Sequence, residues 1–381
     1  MLFLFASGIE NGAGTGWTLK DNWEYFYGDI KSIKLFSMRE HLPVFSTMLE
    51  LHVIHYSCLV LVYIILTNAY VKMCISRRQY AWVENKCLFS THQRLNEEHL
   101  NNKNEIWFKQ WLVGFTDGDG NFSITHQGDK WGLSYKLVQS RYNLRVLHYI
   151  KKQLGAGSIT KDNTKGQFFI RDRKAIETII LPIFDKYPLL TSKYFDYLRF
   201  KKALYILNDI SLTKENKDLK LLKLKDSELP CNYKSPAWNN VSLPLNDSDT
   251  TKGIISKAWI VGFIEAEGSF YLTNKDSKRI VHGFGLTQKL DEIVLQAIGM
   301  ILHIPNGIRY KEMHNYYILD TTNSRAIENI IVYFKDTMKG VKSLEYRIWA
   351  RSYNNNKGDF DKLHKIRDMV RKLRKNLLEI M

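Results

Sequence analysis

Two pairs of acidic residues end two similar apolar segments, at positions where negative charge is unfavourable. Residues 111–120 read Trp-Leu-Val-Gly-Phe-Thr-Asp-Gly-Asp-Gly, and residues 259–268 read Trp-Ile-Val-Gly-Phe-Ile-Glu-Ala-Glu-Gly. A helix carries partial negative charge at its C-terminal end, so acids placed there need a compensating cation. Two such ends brought together would offer oxygen ligands to a divalent metal. Water bound to that metal is a nucleophile suited to phosphodiester hydrolysis.

The acidic segment belongs to a longer unit that occurs twice in the chain. Asp119 and Glu267 are 148 residues apart, and later landmarks recur at nearly the same spacing. These landmarks are Gln139 with Gln288, Lys193 with Lys342, and residues 173–180 with 324–331, at offsets of 149–151 residues. A near-constant offset over several landmarks indicates two copies of one unit. An ordinary helix end with acidic caps would explain one segment, but two copies favour a shared site.

Small residues in both segments predict that the two apolar helices pack closely against each other. Gly114 and Gly118 lie four residues apart in the first copy, as do Gly262 and Ala266 in the second. Small residues at this spacing let two helix backbones approach. The approach would bring the last acids of the two segments together, and such carboxylates repel unless hard divalent cations lie between them.

Each copy reads as helix, hairpin, helix, hairpin and helix. In the first hairpin Ser123 and Thr125 alternate with Phe122 and Ile124, and residues 269–273 repeat this pattern. A period of two gives a sheet with one apolar face for packing and one polar face left open. We therefore predict an α+β fold of two pseudo-symmetric α-β-β-α-β-β-α repeats, preceded by an N-terminal extension.

Composition divides the chain into four segments and indicates a polyanionic partner. The predicted segments are an extension (1–100), a first repeat (101–212), a Lys-, Asn- and Asp-rich linker (213–253), and a second repeat with an amphipathic C-terminal helix (254–381). Residues 1–100 carry equal numbers of basic and acidic side chains, so the net charge of +16 falls on the remainder. Such a basic bulk is typical of nucleic-acid binding, with an inert basic surface as the alternative. The four cysteines show neither a zinc nor a disulfide pattern.

One apolar segment in the extension, residues 51–71, leaves two structural readings open. His52, His55 and Asn68 interrupt it, and a membrane helix needs roughly 20 apolar residues. A short buried helix and a marginal membrane segment fit equally well. Any membrane contact would therefore pass through residues 51–71, as a property of the precursor and not as its function. No basic region precedes the first apolar run, so no secretory signal is predicted.

The duplicated motif resembles the LAGLIDADG signature of homing endonucleases and intron maturases, in the form that carries both motifs on one chain. The resemblance covers about residues 106–353 and implies a DNA-binding saddle. It implies that Mg²⁺ or another divalent metal is held by Asp119 and Glu267 together with the preceding residues, Gly118 and Ala266. The earlier acids of the two motifs, at positions 117 and 265, would support them.

The resemblance also implies further catalytic residues in each repeat. Gln139 and Gln288 would order water at the site, and Lys193 and Lys342 would stabilise charge on the scissile phosphate. Family members carry a further basic residue at the position of Asn143, where this sequence departs from the pattern.

Polar residues on the predicted strands are candidates for reading a DNA duplex. A sheet that carries Arg, Lys, Gln and Ser or Thr fits the major groove and contacts base edges. The candidates are Ser123, Thr125, Gln127, Lys136, Arg141 and Arg171 in the first repeat, and Tyr271, Thr273, Lys275, Arg279 and Lys311 in the second.

A second resemblance concerns the N-terminus and indicates where the protein is made. Residues 5–18 resemble a stretch of cytochrome c oxidase subunit 1, and the resemblance ends abruptly at Leu19. An exon read through into an intron frame would look like this, which predicts a mitochondrial protein.

The sequence thus predicts a monomeric, intron-encoded endonuclease that makes double-strand breaks in a specific DNA site and supports intron homing. The alternative is a maturase that binds its group I intron RNA and promotes splicing, and one protein can do both. Retention of both acids favours cleavage, because RNA binding does not need them.

Overall fold

The computed structural model describes residues 59, 62–67, 69, 102–239, 241, 245 and 248–379. The chain divides into two compact units, residues 1–92 and 93–381. In the first unit, residues 62–67 are helical and exposed. Within the described ranges, no helix combines the length and apolar character that crossing a bilayer requires. Most of the predicted apolar segment 51–71, and all of the oxidase-like stretch 5–18, lie outside these ranges.

The second unit holds two halves with the same order of helices and strands. In the first half these are α1 (102–119), β1 (Gly120–Gln127), β2 (Lys130–Ser140), a 3-10 turn (Arg141–Asn143), α2 (Leu144–Leu154), β3 (Ser158–Lys161), β4 (Lys165–Ile170), α3, α4 (Lys193–Asn208) and α5 (Lys214–Lys225). Helix α3 is composed of Arg173–Ala175, a π-helical turn at Ile176–Ile180, and Leu181–Lys186.

The second half repeats this order after a short preceding helix. Its helices and strands are α6 (Ser248–Ile254), α7 (Lys257–Glu267), β5 (Ser269–Asp276), β6 (Arg279–Gln288), α8 (Glu292–Ile301), β7 (Arg309–Lys311), β8 (Tyr316–Thr321), α9 (Ser324–Phe334), α10 (Lys342–Asn356) and α11 (Phe360–Glu379). The predicted α+β fold with two repeats is confirmed. Apart from α5, α6 and the C-terminal α11, each half contains one helix more than predicted, because α3 with α4 and α9 with α10 are separate helices.

Each half contributes one antiparallel sheet of four strands. The strand orders are β1-β2-β4-β3 and β5-β6-β8-β7, so the topology is the same in both. Phe122 and Ile124 of β1 are buried, and Ser123 and Thr125, which alternate with them, are only partly buried. The predicted alternation therefore separates an apolar sheet face, covered by helices, from a polar face.

The segment predicted to be a linker, 213–253, contains ordered helices and a buried tryptophan. Helix α5 begins at a Thr213 side chain that caps Asn216, and the Trp131 indole of the β1–β2 hairpin donates to Asp218 of α5 at 2.7 Å. Trp238 is buried and donates to the Leu190 carbonyl oxygen at 2.8 Å. The Lys-rich composition concealed these elements, because a helix with one buried residue, Leu221, has almost no apolar stripe.

The predicted C-terminal helix is α11, and it packs on the second half as expected. Leu363 is fully buried, and the helix contacts β5, β6 and α10. Arg367 on α11 donates to the Asn274 side chain at 2.6 Å. Helices α5 and α11 thus each support the first hairpin of their own half.

Candidate active site

Helices α1 and α7 pack with their backbones in direct contact, as the small residues predicted. A Cβ atom on Gly114 would lie 2.0 Å from the Trp259 carbonyl oxygen, and one on Gly262 would lie 1.9 Å from the Trp111 carbonyl oxygen. Near the C-terminal ends, a Cβ on Gly118 would lie 2.4 Å from the Cβ of Ala266. Only glycine fits the two crossing points, so the sequence fixes how closely the two acid-bearing helix ends approach.

Asp119 is the last residue of α1 and lies in a partly buried, polar setting. Gln139, near the end of β2, donates its amide Nε2 to Asp119 Oδ2. Burial raises the pKa of the Asp119 carboxyl, and the nearby Lys193, the Gln139 hydrogen bond and Lys342 oppose that rise. Two lysines from different halves therefore act on one carboxylate.

Glu267 ends α7 in the matching position and feels the charge of Asp119. Burial raises the pKa of the Glu267 carboxyl, and the negative charge of Asp119 raises it further. Lys193, Lys342 and a hydrogen bond from Gln288 act in the opposite direction. Mutual repulsion between the two acids means that a cation between them would be stabilised by both.

The two predicted lysines begin equivalent helices and reach the ends of the acid-bearing helices. Lys193 Nζ donates to the carbonyl oxygens of Thr116, at 3.2 Å, and of Gly118. Lys342 Nζ donates to the Gly268 carbonyl oxygen. Burial lowers the pKa of both ammonium groups, while the surrounding carboxylates raise it. The Gly118 carbonyl, which the resemblance assigns to the metal, accepts from a lysine here, so its role as a ligand stays a prediction.

The earlier acid of the first motif, Asp117, ties α1 to the loop that precedes α4. Its carboxylate accepts from the backbone N–H of Leu190 at 2.9 Å and of Thr191 at 3.1 Å, from the Thr191 hydroxyl at 2.5 Å, and from the Trp259 indole at 2.8 Å. Burial raises the pKa of Asp117 to about 6 despite these four donors. Asp117 therefore positions the loop that leads to Lys193.

Glu265 makes the equivalent link in the second half with fewer donors. It accepts from the backbone N–H groups of Lys339 and Gly340, both at 2.8 Å. Burial raises the pKa of this carboxyl as well. The described residues give the indole N–H of Trp111, the counterpart of Trp259, no hydrogen-bond partner.

A cleft of about 490 Å³ opens beside Asp119 and Glu265, and its lining suits a hard cation and a phosphate. Asp119, Gln139, Ala266 and Lys342 line it, together with Asn143. Among the described residues, no group of three or more His, Cys, Asp or Glu side chains is arranged to hold a metal ion. Mg²⁺ typically keeps several waters and takes one or two carboxylates, so a pair of acids with nearby carbonyl oxygens is a sufficient donor set.

The candidate DNA contacts of the first half occupy the polar face of its sheet and the adjoining turns. Cross-strand pairing places Ser123 opposite Ser134 and aligns Gln127 with Lys130. The predicted Thr125 and Lys136 share this face. Lys136 pairs with Phe169 of β4, and the Arg171 guanidinium stacks over the Phe169 ring at 4.5 Å. Arg141 instead lies in the 3-10 turn between β2 and α2, outside the strands.

The candidate DNA contacts of the second half lie on its strands, and they include a tyrosine and lie near an ion pair. Tyr271 lies against Gly283, whose Cβ would be 2.3 Å from the tyrosine ring. The predicted Thr273, Lys275, Arg279 and Lys311 lie on β5, β6 and β7, with an irregular register between residues 274 and 276. The sequence reasoning missed Arg309 and Asp320, which form a salt bridge at 2.7 Å. Arg309 lies two positions from Lys311 on β7, so it shares the sheet face of a predicted candidate. This alternation could have identified Arg309 from the sequence.

Fold and site together define a class of duplicated proteins, in which two acid-bearing helices pack against each other and each half adds a four-stranded sheet with one polar face. The chain belongs to the LAGLIDADG endonuclease family, whose model matches residues 112–204 and 260–353. It is 40% identical over 279 residues to the probable intron-encoded endonuclease Cox1-I1b of Schizosaccharomyces pombe, across 70% of this chain and 69% of that protein. It is 27% identical over 271 residues to the probable intron-encoded endonuclease aI3 of Kluyveromyces lactis, across 64% of this chain and 65% of that one.

Solved structures share the fold of the duplicated unit. I-SmaMI bound to uncleaved DNA in the presence of calcium ions has a TM-score of 0.57 and 25% identity, covering 68% of this chain and 96% of that chain. The LAGLIDADG homing endonuclease I-GzeII in complex with its DNA target has a TM-score of 0.56 and 24% identity, covering 68% of this chain and 97% of that chain.

Proposed function

We propose that this chain is an intron-encoded endonuclease that cuts both strands of a specific DNA duplex and so supports mobility of its intron. The observation that carries the proposal is the convergence of Asp119 and Glu267 at the ends of two helices in backbone contact. Asp119 directly precedes β1, and Glu267 lies two residues before β5. A single substrate lying across both sheets would thus pass over both acids.

The residues around the acids divide the chemistry between them. A divalent metal, for which we propose Mg²⁺, would be held by Asp119 and Glu267 with the Gly118 and Ala266 carbonyls, and would supply an activated water and a Lewis acid. Gln139 donates to one acid and would order water beside it.

Two cations complete the site on the protein side. Lys193 and Lys342 bring partly buried positive charge to the two helix ends. Such charge stabilises the negative charge that develops on a phosphate during cleavage. Because one lysine comes from each half, we propose that one set of residues serves each strand.

The test is cleavage of a defined target by the full chain. The proposed target is the uninterrupted exon junction of the oxidase subunit 1 gene, because residues 5–18 resemble that protein and a 40% identical relative is named Cox1-I1b. The same reasoning makes mitochondria the proposed site of action. With Mg²⁺, a plasmid carrying this junction should be linearised there, and EDTA should prevent it. Intact plasmid at enzyme concentrations that saturate the DNA would refute the proposal.

We also propose that the protein binds RNA as a maturase, because a basic surface lies away from the sheets' polar faces. Helix α2 contains no acid, and its exposed side carries Arg145, His148, Lys151 and Lys152. Its buried side covers the apolar sheet face, where Leu144 lies against Gly166. The basic side of α2 therefore points away from the polar sheet face.

The equivalent helix of the second half has the opposite character. Helix α8 contains Glu292 and no basic residue, and it packs against α6. A crevice of about 390 Å³ next to α2 adds Lys339 and Arg347 to the basic surface. Since the repeated fold does not require cations on α2, their presence on one half alone favours a second polyanion.

Charge reversal on α2 tests RNA binding separately from DNA cleavage. The double variant Arg145→Glu/Lys152→Glu should weaken binding of the intron RNA at least about tenfold, because each lost phosphate contact also loses counterion release. The matched control is Lys220→Glu/Lys223→Glu on the exposed side of α5. Both variants should cut DNA at the normal rate. Equal RNA affinity in the α2 variant and the wild type would contradict RNA binding at this surface.

A further inference from the structure

Two residues at equivalent positions, one in each half, bind the backbone of the opposite half. Asn143 Oδ1 accepts from the Val341 backbone N–H at 2.9 Å. Asp291 accepts from Ser192 through both oxygens, from the backbone N–H at 2.8 Å and from the hydroxyl at 2.9 Å. Val341 and Ser192 each immediately precede the lysine that begins α10 or α4. Each half therefore holds the start of the helix that carries the other half's lysine.

The hydrogen bonds of Asn143 have only one consistent direction, and it leads to the acid of the first half. A backbone N–H can only donate, so Val341 fixes the Asn143 oxygen towards α10 and its amide nitrogen towards Gln139. Asn143 Nδ2 donates to Gln139 Oε1 at 2.7 Å. The Gln139 nitrogen is thereby turned to Asp119, to which it donates. The main chain of the second half thus sets the orientation of the glutamine that contacts the acid of the first half.

Among the described residues, the position of Asn143 in the second half is occupied by Asp291, which cannot donate in the same way. An ionised Asp291 is an acceptor only, and both of its oxygens are engaged by Ser192. It therefore has no proton with which to orient Gln288. The first half depends on two links from the second, one to Gln139 through Asn143 and one to the start of α4 through Asp291.

Gly340 permits the Asn143 link. A Cβ on Gly340 would lie 2.4 Å from Asn143 Oδ1 and 2.8 Å from Glu265 Oε1. Asn143 is itself 6% exposed, so no water can readily replace a lost bond at this point.

We propose that Asn143 and Asp291 are positioning residues that place the two lysines from across the boundary between the halves, and that Asn143 alone also orients Gln139. The inference rests on the proposed cleavage function for its kinetic consequence. Two of the three links, Asp291 to Ser192 and Asn143 to Gln139, serve the residues of the first half, and one, Asn143 to Val341, serves Lys342 of the second half. Cleavage of the two DNA strands should therefore slow by different amounts when one link is broken.

Three substitutions separate the links. Asn143→Asp keeps the acceptor for Val341 and replaces the donor to Gln139 by a carboxylate oxygen, so it keeps the link to α10 and breaks the orientation of Gln139. Asp291→Ala releases the start of α4 and also disturbs the first half. Gly340→Ala displaces Asn143 and Glu265 from the loop before α10. It therefore disturbs the start of the helix that carries Lys342 as well as the orientation of Gln139.

The kinetic test is single-turnover cleavage of a target labelled separately on each strand, with the DNA Kd measured in Ca²⁺. We expect Asn143→Asp and Asp291→Ala to slow the same strand about tenfold more than the other, with the Kd within twofold of wild type. Gly340→Ala should slow the second strand as well. An unchanged strand ratio in Asn143→Asp, or equal loss on both strands together with loss of DNA binding, would overturn the proposal.

Hydrogen–deuterium exchange of the protein alone tests positioning without any cleavage. Asn143→Ala should speed exchange in residues 340–346 about tenfold and leave 191–197 unchanged, and Asp291→Ala should do the reverse. Asn143→Asp should match wild type in both segments. A wild type that does not cut DNA would refute the proposed function, whereas unchanged exchange in both alanine variants would refute this inference.

Discussion

The two tryptophans that begin the repeated motif occupy equivalent places but differ in one hydrogen bond, which makes them a matched pair. Trp111 and Trp259 are both buried, and each stacks on the phenylalanine four residues later, at 5.1 and 4.9 Å between ring centroids. The Trp259 indole donates to Asp117 at 2.8 Å. In the part of the chain that the structure describes, the Trp111 indole N–H has no acceptor.

Substitution of each tryptophan by phenylalanine should therefore cost different amounts of stability. Both changes remove the same volume from equivalent sites, so the cavity contribution should nearly cancel between them. Trp259→Phe also removes a hydrogen bond to a buried carboxylate, worth about 1.5–3 kcal/mol. Trp111→Phe removes an unsatisfied donor, so its cost is reduced. We expect Trp259→Phe to be less stable by at least about 2 kcal/mol, or about 3 °C in Tm for a unit of this size.

The pH dependence of that difference identifies its cause. The folded pKa of Asp117 is about 6, raised from 3.8, so Asp117 is ionised above pH 6 and the indole stabilises the charged form there. Below pH 6 the carboxyl is protonated in the fold, and losing the indole costs less. Urea unfolding between pH 5 and 8 should show a gap between the variants that narrows as the pH falls. Equal stability at pH 8, or a gap that does not change with pH, would refute the reasoning.

Two further predictions concern buried groups elsewhere in the second half. Burial of His282 lowers its pKa from 6.5 to about 4, so between these pH values the imidazole is neutral in the fold and protonated in the unfolded chain. The contribution of His282 to the free energy of unfolding is therefore complete above pH 6.5 and falls by up to about 3 kcal/mol as the pH drops towards 4. Urea unfolding of His282→Gln should lack this component, whereas the exposed His148→Gln should keep it. Gly262→Ala places a Cβ 1.9 Å from a carbonyl oxygen of α1 and should lower the free energy of unfolding by about 1–3 kcal/mol. Gly253→Ala, with no atom within 4 Å of its Cβ, should be nearly neutral, and equal Tm values for the two alanine variants would contradict the helix packing.

The sequence predicted the parts of the molecule that depend on repetition and periodicity. Duplication identified Asp119 and Glu267, and the glycines predicted the helix contact because only small residues allow backbones to approach. The alternation in β1 and β5 predicted which sheet faces stay open. These signals are local, or recur at a fixed offset, so they survive in a linear reading.

Contacts that join distant residues left no such signal. Asn143 was noticed only as a departure from the family pattern, and its bonds to Val341 and Gln139 arise from the packing of the two halves. Helix α5 was concealed by its lysines. The ion pair of Arg309 and Asp320 depends on a strand register that single-sequence periodicity does not give.

The central claim is that Asp119 and Glu267 act together as the metal-dependent centre of the enzyme. The most direct measurement is double-strand cleavage of the exon-junction target in Mg²⁺ by Asp119→Asn and Glu267→Gln, with DNA affinity measured in parallel. Each variant should bind DNA as well as wild type within a few-fold and cut at least about a hundredfold more slowly. The exposed-acid control, Glu177→Gln on α3, should cut normally. Full double-strand cleavage by either Asp119→Asn or Glu267→Gln would contradict the account.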